Sequence, residues 1–188
     1  MTTETATLAR TTIPVLSSTL ERIANAICLE RDKFYIKEAD IVVSSESKYP
    51  ILRAGLNIEK PGHYKSIPGL THAPDSLAAV GQMGYVFFAQ TSLSGLMTDV
   101  IPALSIDQII SIFRNENEKW AVLKGGEFDY KQLPPICVGV MKIKKVSPAP
   151  TGFFFDTQIS LAKSDSTSPK DIQGPSNHIY SSRYSANF

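Results

Sequence analysis

Hydrophobic positions along this chain recur with two different periods, and the places where the period changes mark the elements. Leu20, Ile23, Ala24, Ile27 and Cys28 fall three and four residues apart, the spacing of one buried helix face. They follow Ser18-Thr19-Leu20-Glu21, a capping-box sequence in which the Ser hydroxyl and the Glu carboxylate satisfy amides at the helix start. The pattern predicts a short amphipathic helix ending near Arg31. Lys33 to Ser44 and Pro50 to Ile58 are rich in strand formers and flank the turn-like Ser44-Ser45-Glu46-Ser47, so two antiparallel strands are expected.

Pro61-Gly62 and Pro68-Gly69 interrupt the pattern before Ala73-Pro74-Asp75, where a Pro and an acidic residue signal a helix start. From Asp75 to Gln90 the chain is apolar almost all round and rich in small residues, which predicts a helix covered on most sides. At about 1.5 Å per residue it would run roughly 24 Å, the breadth of a small sheet. Ser105-Ile106-Asp107-Gln108 is a second capping box and predicts a helix over 106–115.

Trp120 to Leu123 and Phe128 to Leu133 read as short strand pieces. Ile136 to Val146 and Gly152 to Leu161 form the clearest strand pair, joined by a turn rich in Pro and Gly. Residues 1–17 read as a flexible lead-in and 164–188 as a polar, irregular tail with a few aromatic anchors, which leaves 18–163 as one domain. The order of helix, strands, buried helix, helical excursion and further strands predicts an α+β class, with an antiparallel sheet wrapped around one long helix.

Composition narrows the function classes. The 188 residues are 43% apolar and 20% charged, as in ordinary globular domains. A net charge of +1, with no basic run longer than Lys142-Ile143-Lys144-Lys145, argues against nucleic acid as a partner. The sequence holds no apolar run long enough to span a bilayer and no signal-peptide pattern at Met1, so a cytoplasmic location is expected. Cys28 and Cys137 lie far apart in apolar sequence, which predicts two reduced thiols. No metal-ligand spacing, phosphate-binding Gly loop or Ser nucleophile elbow occurs, so no cofactor is implied.

The candidate chemistry gathers between Ile67 and Gln90, and most closely at the helix entrance from Tyr64 to Asp75. The segment Tyr64-Lys-Ser-Ile-Pro-Gly-Leu-Thr-His72-Ala-Pro-Asp75, continuing to Gln82-Met-Gly-Tyr85, resembles the FcoT-type long-chain acyl-CoA thioesterases within the hot-dog fold. In that family a Tyr is followed eight residues later by a polar residue opening the helix, then by an acidic residue, then by Gln-x-x-Tyr. The specific matches lie in residues 62–90, within a resemblance extending from about Ser18 to Lys163. Two positions depart from the family: its helix-opening Asn is His72 here, and a second active-site Tyr falls at or near Cys28. A dehydratase-type acid four residues before the helix Gln is replaced by Ala78.

The resemblance implies an acyl-thioester substrate, carried on CoA or an acyl carrier protein, and a homodimer or dimer-based assembly. Tyr64, His72 and Asp75 are the candidate catalytic residues, and Thr71, Ser76, Gln82, Met83, Phe87 and Cys28 the candidate substrate-binding ones. Amides at the helix start can hold a developing oxyanion. His72 is read either as a base near neutral pH or as a helix cap, and Asp75 either as a group orienting His72 or water or as a charge favourable to the helix terminus. Small residues such as Ala79, Gly81 and Gly84 either let the helix approach the sheet or leave an acyl groove. Three functions remain open: thioester hydrolysis, dehydration or amine addition with His72 as base, and acyl binding without turnover.

Overall fold

The computed structural model describes residues 10–28, 33–58, 73–114, 121–124, 135–170 and 178–187. Strand β1 (Arg10–Pro14) precedes helix α1 (Ser17–Ile27), followed by β2 (Ile36–Ser44) and β3 (Ile51–Asn57). Helix α2 (Ala73–Leu93) and helix α3 (Ile106–Arg114) come next, then β4 (Ala121–Lys124), β5 (Ile136–Ala149), β6 (Gly152–Lys163) and β7 (His178–Asn187). All described strand pairs are antiparallel, in one seven-stranded sheet of order β1-β2-β3-β5-β6-β7-β4. The class is α+β, as expected. No helix among the described residues is long and apolar enough to cross a membrane.

Register explains why one face of the sheet is core. Ile41, Leu52, Met141, Ile159 and Tyr180 are successive cross-strand partners, and all five are buried. Because side chains alternate along a strand, the neighbouring row faces the other way. It runs Asp40, Arg53, Val140, Ser160, Ile179 and ends with Ile179 45% exposed. Within it Arg53 donates from Nε and Nη2 to the two carboxylate oxygens of Asp40, both at 2.8 Å, a bidentate pair that joins β2 to β3.

Helix α2 lies against the apolar face and contacts β2 and β3. It meets β5 where Met83 sits on Gly139, and β7 where Gly84 faces the ring of Tyr184. A Cβ on Gly84 would stand 2.2 Å from Tyr184 Cε1, so the missing side chain is replaced by an aromatic ring and no groove remains there. Helices α1 and α3 contact α2 and each other. Phe113 of α3 packs edge-to-face on Tyr85 at 4.9 Å and against Phe88 at 5.8 Å. Covered by sheet and helices, α2 has no polar face to offer, as its sequence predicts.

Several expectations need correction. Helix α1 begins at Ser17 with Leu16 as its cap residue and no side-chain cap bond, and it ends at Ile27 rather than near Arg31. The 105–108 capping box does form: Gln108 N–H donates to Ser105 Oγ at 3.3 Å and Ser105 N–H to Gln108 Oε1 at 2.8 Å. The lead-in contributes edge strand β1, bonded to β2. The polar tail is not irregular throughout, because His178–Asn187 pairs along β6 and carries β4 on its other side. Between them, Ser164–Lys170 crosses the outer sheet face so closely that a Cβ on Gly55 would meet the Thr167 carbonyl oxygen at 1.2 Å. The strand piece expected at Phe128 to Leu133 lies outside the described residues.

Candidate active site

The first turn of α2 carries Asp75, an acidic residue at the end of the helix where the dipole suits negative charge. Asp75 is only 4% exposed, and its Oδ1 accepts a 2.6 Å hydrogen bond from the phenol of Tyr35, itself 3% exposed. A bond of that length between two buried groups holds the phenol and the carboxyl group in one arrangement. Tyr35 sits just before β2, between the buried Phe34 and Ile36.

Two turns further along α2, Gln82 faces the same neighbourhood. Its Oε1 accepts from the Tyr35 amide at 2.8 Å, and its Nε2 donates to the Lys33 carbonyl at 2.6 Å. The Cys28 sulfur, just past the end of α1, lies 3.8 Å from the same Nε2. Partial burial pushes the Cys28 thiol above its ordinary range, so the protonated thiol is favoured near neutral pH.

Of the residues singled out in the sequence, Asp75, Gln82 and Cys28 therefore meet around Tyr35. Ser76 is buried beside Asp75, whereas Met83 and Phe87 are fully buried members of the main core. Tyr64, Thr71 and His72 lie in 59–72, outside the described residues. Tyr35 is the residue that sequence reasoning missed. Its one legible signal is a hydroxyl between two strand-forming apolar residues, which when buried requires a partner.

The arrangement offers a buried carboxylate at a helix N-terminus, one oxygen fixed by a phenol, with helix-start amides beside it. A carboxylate so held can accept a proton from water or orient a neighbouring base, and the amides can bind developing negative charge. Among the described residues no group of three or more His, Cys, Asp or Glu could hold a metal ion. A separate cavity of about 640 Å³ opens between β1, the start of α1 and β2, and Tyr35, Asp75 and Gln82 do not line it. No protein-family model matches this chain, and no curated protein sequence matches it.

Proposed function

We propose that this chain is an acyl-thioester hydrolase on a hot-dog fold, acting on acyl-CoA or acyl-carrier-protein thioesters. The observation that carries the reading is the buried 2.6 Å bond from Tyr35 to Asp75 at the entrance of α2. An antiparallel sheet packed on one long helix that follows β3 in the chain supports it. So does the spacing of Tyr64, His72, Asp75 and Gln82.

In this mechanism water attacks the thioester carbonyl carbon while His72 accepts its proton and Asp75, steadied by Tyr35, orients the water or the imidazole. Negative charge collects on the carbonyl oxygen, where the amides at the start of α2 and the Tyr64 phenol receive it. The C–S bond then breaks, the thiolate takes the proton back, and a carboxylic acid and a thiol leave. A cytoplasmic homodimer, or an assembly of such dimers, is part of the same proposal.

The test is thiol release from a panel of acyl-CoA and acyl-carrier thioesters of different chain length. Turnover is expected, and it should fall by about 10²- to 10⁴-fold in His72→Ala, the usual contribution of a positioned acid-base group. An absence of thiol release across the panel overturns hydrolysis. A carrier-bound product lighter by one water would instead assign proton-transfer chemistry to the site.

A further inference from the structure

Gln82 is expected from sequence to touch substrate, yet its described contacts are made with the protein's own chain. An amide side chain offers two N–H donors and one carbonyl acceptor. Here the carbonyl is engaged by Tyr35 N–H at 2.8 Å, and the amino group is directed at the Lys33 carbonyl at 2.6 Å and the Cys28 sulfur at 3.8 Å. The residue is 7% exposed. On its other side, the Tyr35 carbonyl accepts from Asn57 N–H of β3 at 2.9 Å. The Tyr35 peptide groups are thus gripped from the helix and from the sheet, and the phenol is aimed from that fixed backbone.

Asp75 and Gln82 stand seven residues apart, two helical turns with a drift of about 20°, so both project from nearly the same side of α2. The result is a closed loop of connections: Asp75 to the Tyr35 phenol, the Tyr35 backbone to Gln82, and Gln82 back along the helix to Asp75. We propose that Gln82 is a positioning residue that acts through Tyr35, fixing the Tyr35 backbone so that its phenol holds the Asp75 carboxylate in its reactive place. The role in turnover rests on the hydrolase reading, whereas the clamp itself can be measured without substrate.

Gln82→Met keeps similar volume and removes the hydrogen bonds. With carboxyl-labelled Asp and no substrate, the Asp75 side-chain ¹³C resonance at pH 7 should be displaced in Gln82→Met in the same direction as in Tyr35→Phe. A resonance displaced by Tyr35→Phe but not by Gln82→Met overturns the proposal, whatever the activity. In the unmutated protein the Tyr35 amide should exchange with deuterium at least about 10³-fold more slowly than an open amide, since local opening must break the clamp. Exchange at the open-chain rate overturns it even where Gln82→Met fails to fold.

With an active thioester in hand, both single variants should lower kcat by about 10- to 100-fold and leave KM within about twofold, the pattern of lost transition-state alignment. The double variant should be no slower than the worse single, because both changes cut one chain of contacts. A Gln82→Met variant whose KM rises at unchanged kcat would make Gln82 a substrate ligand and overturn the proposal. If the resonance and exchange results hold but no thioester is turned over, the hydrolase reading falls and the clamp stands.

Discussion

Cys137 and Cys28 carry the same thiol in different surroundings. Cys137, fully buried under α2, has its pKa pushed up to about 12 by desolvation, whereas Cys28 at the rim is raised by partial burial. Iodoacetamide should label Cys28 in the native protein and Cys137 only after unfolding, as peptide mapping after short exposure would read out. The folded chain holds the Cys137 proton more tightly than the unfolded chain. Its contribution to stability is therefore full below the ordinary value of 9.0 and is lost as pH rises from there to about 12. Urea midpoints across pH 8 to 11 should consequently fall more steeply for the wild type than for Cys137→Ala. Thr91 offers a different test. Its hydroxyl is buried with no hydrogen-bond partner among the described residues, so Thr91→Val should raise unfolding free energy by about 1 kcal/mol. Asp75 was legible as a candidate because an acid in the first turn of an apolar helix stands out. Tyr35 was not, because its partner lies 40 residues away and a tyrosine among strand formers looks like any core aromatic.

At the scale of elements, strong periodicity was sufficient and hidden periodicity was not. The apolar, small-residue run produced α2, the reciprocal Ser105 and Gln108 bonds within one turn produced the α3 cap, and plain alternation produced β5 and β6. Strand β7 escaped because its inward row is Tyr180, Ser182, Tyr184 and Ala186, where a serine takes a core position. The main chain there does a job of its own, since the Ser182 carbonyl accepts from the buried Thr157 Oγ1 at 3.0 Å, a bond no hydropathy pattern reveals. The capping box read at Ser18 does not form and the cap falls two residues earlier, at Leu16, while the buried Leu20, Ile23 and Ala24 face does not depend on where the cap falls. Of the two readings of the small residues, close packing applies at Gly84. Gly84→Ala should destabilise by about 1 to 3 kcal/mol, the usual effect of overpacking, because the Tyr184 ring must move and its bond to the Val80 carbonyl at 2.9 Å is disturbed. Denaturant unfolding of Gly84→Ala against wild type, repeated in a Tyr184→Leu background where the penalty should shrink, checks the assignment.

For the whole molecule, the layers of sheet, α2 and the α1–α3 pair make the site a junction. Tyr35 comes from the strand side and Asp75 from the helix, so their alignment depends on the sheet keeping its hold on α2. The far end of that hold is Tyr184 on β7. A chain ended after Asn177 should lose the cooperative urea transition and near-ultraviolet circular dichroism while retaining much of its helical signal. The order of strands also sets a timetable for synthesis. Strand β4 leaves the ribosome before β5 and β6, yet its described neighbour in the sheet is β7, which follows both. Until residues 178–187 emerge, β4 waits and the β6 edge lies bare beside Phe155 and Ile159, so the nascent chain passes through an interval in which a chaperone has something to hold.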